Sequence, residues 1–118
     1  MIPVGVQVFV ALEPVDLRCG FDRLAGLARE RIGYDPRSGA LFVFVGRRGC
    51  ASKVLFFDGT GMCILHKRLD RGVFKVPSRV EGDAGHMEID EAAFEALLDG
   101  LPISPSQGTT RPPRRRVH

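Results

Sequence analysis

The stretch VFVGRRGCASKVLFFDGTG, residues 43–61, places an apolar run on each side of a loop that carries Arg47, Arg48 and Lys53 and no acid. Both runs are rich in valine, leucine and phenylalanine, a composition that favours buried β-strands. The closing glycines favour a tight hairpin. The sequence therefore predicts two buried strands with a basic loop at one end and a hairpin at the other.

The chain of 118 residues has the size and composition of one soluble globular domain, with 44% hydrophobic and 26% charged residues. No apolar run approaches the roughly 18 residues that indicate a membrane span. The N-terminus has no basic leader before its apolar run, so a first strand is expected there and not a signal peptide. We expect a cytoplasmic protein with no membrane contact.

Three cysteines at scattered positions do not form a disulfide framework and fit a reducing compartment. The alternative is a metal site formed by Cys19, Cys50 and Cys63 with His66. Zinc sites usually bring their ligands in close pairs, and the sequence contains no Cys-x-x-Cys. Cys63 and His66 are three apart in a predicted strand, so their side chains leave opposite faces. We therefore predict no bound metal and no cofactor.

The remaining chain alternates between strand and helix patterns. A valine-rich strand at 6–12 precedes a helix that begins at Phe21 and that Gly33 ends. Short strands are predicted at 40–46, 53–58, 62–69, 73–77 and 86–89. Asp90 is a natural N-cap for a second helix, and Pro102 marks its end.

Short connections between successive strands imply an antiparallel meander. We predict an α+β domain over residues 1–103: an antiparallel meander sheet of about five strands, with one helix after the first strand and one C-terminal helix. Helices packed on one face would leave the other face of the sheet partly open. Residues 104–118 carry four arginines and almost nothing to bury, which predicts a disordered arginine- and proline-rich tail.

The net charge of +3 hides a polarised chain. Residues 46–75 carry seven basic and two acidic side chains, whereas residues 76–103 carry one basic and seven acidic side chains. Because alternate connections of a meander lie at the same end of the sheet, the basic loop and the 69–72 turn should meet. We call the predicted nucleic-acid-binding set the basic rim: Arg47, Arg48, Lys53, Lys67, Arg68, Arg71 and Lys75.

A rim of this kind attracts polyanions, and guanidinium groups bind phosphates bidentately. The alternative is that each charge only solvates a strand end. No helix-turn-helix spacing, zinc finger or aromatic stacking motif is present. The sequence therefore predicts contact with DNA phosphates at low sequence specificity.

Four segments of the chain are similar to a known protein family: DLRCGFDRLAGL (16–27), DPRSGALFVFVGRRG (35–49), KVLFFDGTGMCILHKRLDRGVFKVP (53–77) and LLDGL (97–101). Over about residues 2–101 the chain resembles the TnpB-type accessory protein of the insertion-sequence-66 family of bacterial transposable elements, which is not the RNA-guided nuclease of the same name. The resemblance implies a role in transposition beside a separate, larger transposase. It also implies family positions for every basic-rim residue except Lys75, while Cys19 stands where a lysine is common.

Catalysis by a metal-dependent nuclease would need clustered carboxylates, and the candidates by residue type are Asp16, Asp22, Asp35 and Asp58. Each of them has a local task in a turn or at the start of a helix. Arg18 lies between two of these acids and is expected to pair with one and fix the turn. We predict no catalytic residue and no enzymatic activity.

The leading hypothesis is a non-catalytic accessory protein that assists transposition and contacts DNA at the element ends through the basic rim. The alternative is a protein-interaction module. In that case the exposed sheet face or the acidic segment 81–99 docks onto the separate transposase, and the basic rim only assists.

Overall fold

The computed structural model describes residues 5–78, 85–103 and 108–109, in which one mixed sheet carries two α-helices. In chain order the secondary structure comprises β1 (Val8–Ala11), α1 (Phe21–Leu27), β2 (Leu41–Val45), β3 (Ala51–Phe57), β4 (Met62–Arg68), β5 (His86–Ile89), α2 (Glu91–Leu98) and the two-residue strand β6 (Gly108–Thr109). Across the sheet the strand order is β4-β3-β2-β1-β5-β6. The predicted α+β class is confirmed.

β1 lies inside the sheet and pairs in parallel with β2, where Phe9 is opposite Phe42. A parallel pair needs a crossover that returns the chain to its starting end, and the connection that contains α1 provides it. β5 pairs with the other side of β1 and is antiparallel. The prediction of a purely antiparallel meander is therefore wrong. It holds only from β2 through β3 to β4.

The strand predicted at 73–77 is also wrong, because residues 73–78 form no regular secondary structure. Phe74 lies outside the sheet, and its side chain, which is 4% exposed, is buried in the apolar cluster that includes residues of α2. Its N–H donates to the Gly49 carbonyl at 2.8 Å, which fixes this segment to the β2–β3 loop. We call residues 69–78 the crossing segment, because they lead the chain from β4 toward β5 on the other side of β1. Their apolar residues resemble a strand pattern, but they anchor this connection instead.

Alternation along β1 gives the sheet two buried faces. Val8 and Val10 belong to the cluster that packs against α2, whereas Phe9 and Ala11 belong to the cluster that packs against α1. We call these the α2 face and the α1 face. The helices cover opposite faces, so the prediction of both helices on one face is wrong. Burial on both sides explains why β2 reads as an uninterrupted apolar run, LFVFV.

The first helix occupies the predicted segment but changes its geometry. α1 ends at Leu27, and a π-helical turn continues from Ala28 to Ile32. Gly33 ends the helix as predicted, with φ at 87° and an N–H that donates to the Ala28 carbonyl at 2.8 Å. A bond that spans five residues is the wide spacing of the π-helix. Apolar periodicity located the helix but did not distinguish the two geometries.

The second helix begins as predicted. The Asp90 carboxylate accepts a hydrogen bond from the Ala93 N–H at 2.8 Å, which satisfies one of the free donors at the start of α2. In the described ranges, no helix combines the length and the apolar content needed to cross a membrane.

Most of the predicted tail, 104–118, lies outside the described residues. Within it, Gly108 and Thr109 form β6 and pair with Ile89 and Glu88 of β5. The division into a domain over 1–103 and a disordered tail stays a prediction.

Two glycines offer a matched test of the crossing segment. Gly49 has φ at 82°, and a Cβ there would lie 3.1 Å from the Val73 Cβ. Gly59 has φ at 104°, but nothing lies within 4 Å of the place where its Cβ would be. Because alanine disfavours a positive φ, its introduction at either site should lower the free energy of unfolding by about 1–2 kcal/mol.

We expect Gly49→Ala to lower the free energy of unfolding by about 1 kcal/mol more than Gly59→Ala, because only the first variant also displaces Val73. Urea denaturation of both variants measures the difference. Equal losses would show that the crossing segment does not need the space above Gly49.

Candidate nucleic-acid interface

The β2–β3 loop and the end of β4 meet at one end of the sheet. Arg68 is opposite Ala51 in the β3–β4 ladder, and the Leu69 N–H donates to the Cys50 carbonyl at 2.8 Å. The hairpin at Asp58 joins the other ends of the same two strands. The structure thus brings together the two basic segments that were predicted to meet.

A cleft of about 390 Å³ opens at this end of the sheet. Three exposed residues of the basic rim line it: Arg47, Arg48 and Arg68. The exposed side chains of Arg18 and His66, which sequence reasoning did not assign to a binding site, line it as well. We call these five residues the arginine cleft.

Arg18 reaches the cleft because the chain after β1 makes one further parallel contact with β2. Val15 forms an isolated bridge with Gly46, and its N–H donates to the Val45 carbonyl at 2.9 Å. Residues 16–18 consequently run beside the β2–β3 loop. This neighbourhood depends on the parallel β1–β2 pair, which the predicted meander did not contain.

Asp16 holds Arg18 in a bidentate ion pair. Arg18 Nε lies 3.1 Å from Asp16 Oδ1, and Nη2 lies 2.9 Å from Oδ2. The side-chain hydrogen bonds, together with one from the Arg18 backbone N–H, hold the pKa of Asp16 well below its ordinary value, and the Arg47 charge acts in the same direction. The predicted pairing of Arg18 with an aspartate of this turn is confirmed. The Arg18 side chain is nevertheless 92% exposed, so it remains accessible from solvent.

Two lysines of the basic rim are engaged outside the cleft. Lys53 Nζ donates to the Cys19 carbonyl at 2.9 Å. Lys67 Nζ lies 3.7 Å from Asp99 Oδ1, at the end of α2. Lys67 projects from the α2 face, because its two neighbours on β4 project from the α1 face and line the cleft.

The last two residues of the basic rim, Arg71 and Lys75, are exposed and lie outside the cleft. Arg71 is in the turn after β4, and Lys75 follows the buried Phe74 in the crossing segment. They extend the positive charge beyond the cleft wall.

The acids considered for catalysis have local structural tasks. Asp58 accepts hydrogen bonds from the Thr60 and Gly61 N–H groups at 2.8 and 3.0 Å, and these bonds lower its pKa. Asp35 accepts a backbone N–H within its own turn at 2.9 Å, and Asp22 lies in the first turn of α1. Among the described residues, no three His, Cys, Asp or Glu side chains cluster so that they could hold a metal ion.

Two of the residues considered as metal ligands, Cys63 and His66, lie on opposite faces of β4, as their spacing predicted. Cys63 is opposite Phe56, which packs on the α2 face, whereas His66 lines the cleft on the α1 face. All three cysteines are half-buried free thiols, and burial raises the pKa of Cys63.

The ion pair at the cleft gives a prediction for acidic pH. The pKa of Asp16 in the folded protein lies below its unfolded value near 3.8, so its contribution to stability is present above that pH and is lost as the pH falls through the lowered pKa. An NMR titration of the Asp16 carboxyl carbon should give a midpoint below 3.8, and Arg18→Gln should raise it. The same midpoint in Arg18→Gln would show that the backbone N–H alone holds the carboxylate.

The part of the chain that is similar to known proteins includes both the sheet and the cleft. A family model described as IS66 Orf2 like protein matches residues 6–108. The uncharacterized protein y4hO of Sinorhizobium fredii is 42% identical over 114 residues, which cover 95% of this chain and 96% of that protein. The uncharacterized protein y4jC of the same organism is 36% identical over 97 residues, or 82% of this chain and 80% of that protein. No solved structure gives a significant match. The chain therefore belongs to the IS66 Orf2-like family of insertion-sequence accessory proteins, as its resemblance to that family had implied.

Proposed function

We propose that this protein is a non-catalytic factor of the bacterial cytoplasm that assists transposition by contacting DNA phosphates through the arginine cleft. Membership of the IS66 Orf2-like family indicates a transposition-associated accessory role. The DNA contact rests on one observation: four arginines from three separate chain segments line one cleft.

The chemistry of these side chains suits phosphate. A guanidinium group presents a planar fork of N–H donors that matches two phosphate oxygens. Arg18 is held by Asp16, but Arg47, Arg48 and Arg68 form no ion pair within the described ranges. The Asp16 carboxylate also lines the cleft, but it is held by Arg18, so a phosphate that enters still meets three arginines that are in no ion pair with a described acid.

The shape of the cleft supports low sequence specificity. Its walls are a loop, a turn and the end of an edge strand, so it presents charge without an inserted helix that could read base edges. Binding of this kind comes from counterion release and weakens steeply with salt. We infer that the choice of element ends comes from the separate transposase, since the cleft itself offers no element that reads bases.

The basic rim then divides into three groups. Direct phosphate contact is assigned to Arg47, Arg48 and Arg68. Arg71 and Lys75 lie further along the surface and would meet flanking phosphates of a longer duplex. The two lysines engaged outside the cleft contribute charge without contact.

Fluorescence anisotropy with labelled duplex DNA at several salt concentrations tests the proposal. Replacing Arg47, Arg48 and Arg68 together with alanine should raise the apparent Kd at least tenfold at low salt. The slope of log K against log salt should become shallower by roughly two to three units. Unchanged affinity would overturn the assignment.

The control removes the same charge from the other end of the molecule. Arg29, Arg31 and Arg37 are exposed and lie in the π-helical turn and in the loop before β2, away from the cleft. Their triple alanine variant should keep most of the affinity. An equal loss of DNA affinity in both triple variants would show that affinity depends on net charge and not on the cleft.

Docking onto the separate transposase is the second candidate. Val73 and Leu101 favour it, since they are 43% and 53% exposed. Among the described residues, neither face of the sheet is left open along its whole width, because one helix packs on each. Part of the acidic segment, 81–84, lies outside the described residues. Co-purification with the transposase that survives nuclease treatment, and that Leu101→Lys abolishes, would favour this candidate over DNA contact.

A further inference from the structure

β4 forms one edge of the sheet, and no described strand pairs with its outer side. The strand is seven residues long, against an average of about five to six in globular proteins. An open edge of this length presents a row of backbone donors and acceptors to which another strand can add.

The internal ladder shows which groups of β4 point outward. The Leu69 N–H donates to the Cys50 carbonyl, and the Asp58 N–H donates to the Gly61 carbonyl, so the odd-numbered residues of β4 are hydrogen-bonded to β3. Pairs alternate along an antiparallel ladder, so the even-numbered residues direct their backbone groups away from the sheet. These residues are Met62, Ile64, His66 and Arg68.

We propose that β4 pairs with β4 of a second copy of this chain, antiparallel, about a two-fold axis at Leu65. Several registers join outward groups to outward groups, but only the register centred on Leu65 pairs all seven residues of the strand. The Leu65 side chain, 49% exposed in one copy, then packs against its own symmetry mate. It does so in a non-hydrogen-bonded pair, in which cross-strand side chains approach most closely.

Charge supports the antiparallel direction of this pairing. β4 ends in basic residues, while the hairpin before its other end carries Asp58. Antiparallel pairing sets the Asp58 hairpin of one copy beside the Arg71 turn of the other. Asp58 is ionised across the neutral range, since its turn donates N–H groups to the carboxylate.

Charged side chains on an edge strand usually discourage pairing, and Lys67 is the residue of β4 to which this applies most directly. In the proposed register Lys67 faces Cys63 of the other copy, so no two cations are opposed. Its amino group is also directed across the α2 face toward Asp99, at 3.7 Å. The cation therefore does not obstruct the added strand.

The pairing has a consequence for the cleft. Directly opposed residues share a face, so both arginine clefts lie on the same side of the joined sheet. The two Arg68 residues would be separated by roughly 20 Å along the strands, six residues at about 3.4 Å each. This consequence rests on the proposed function, whereas the pairing itself does not.

Sedimentation equilibrium of the full chain, without DNA, tests the pairing. The wild-type chain should have twice the monomer mass. His66→Pro should be monomeric, because it removes an outward N–H and no bond to β3, a substitution that edge strands accept. His66→Ala removes the same side chain but keeps the N–H, so it should stay dimeric. A monomeric wild type, or a dimer in His66→Pro, would overturn the proposal.

A second pair of variants avoids any backbone effect. Leu65→Lys places two cations against each other at the two-fold axis and should give a monomer with a native circular-dichroism spectrum. Leu101→Lys changes a similarly exposed leucine outside β4 and should leave the dimer intact. Dissociation by Leu101→Lys and not by Leu65→Lys would assign the dimer to the other surface.

Discussion

The parallel pairing of β1 with β2 is the contact on which the rest of the structure depends. A parallel neighbour cannot be reached through a hairpin, so residues 12–40 must cross one face of the sheet, and α1 covers that face. The same pairing continues to the Val15–Gly46 bridge, which brings the Asp16–Arg18 turn beside the β2–β3 loop. With β2 on one side of β1, β5 occupies the other side, and the chain must leave β4 to reach it.

The electrostatic character of the molecule follows from this topology more than from its net charge of +3. Arginines that are far apart in sequence become neighbours, while a lysine between two cleft residues is turned to the other face and meets an acid of α2. Surface charges in isolation contribute little, so their grouping decides what the molecule attracts. The cleft is consequently lined by arginines, and the lysines of the basic rim lie outside it.

Local signals in the sequence were sufficient for much of the fold and for part of the site. The β2–β3–β4 hairpins, the stop at Gly33, the cap at Asp90 and the Asp16–Arg18 pair all depend on residues close together in the chain. The direction of the β1–β2 pair was missed, although a helix between two predicted strands is typical of a parallel crossover, because the meander was extended from the hairpins to the first strand. Residues 73–77 form a connection and not a strand because β5 pairs on the other side of β1. No local sequence pattern indicates where β5 pairs. The opposite orientations of Lys67 and Arg68 were readable from strand alternation.

The crossing segment contacts two parts of the molecule that are far apart in the sequence, the β2–β3 loop and the end of α2. The Phe74 N–H donates to the Gly49 carbonyl in the β2–β3 loop, and a Cβ on Gly100, just after α2, would lie 3.2 Å from Leu69 Cδ1. A protein that binds beside the end of α2 and shifts Leu69 therefore acts on the same length of backbone that positions the arginines. Linkage between two ligands is reciprocal, so a ligand in the cleft would change the affinity for that protein by the same factor.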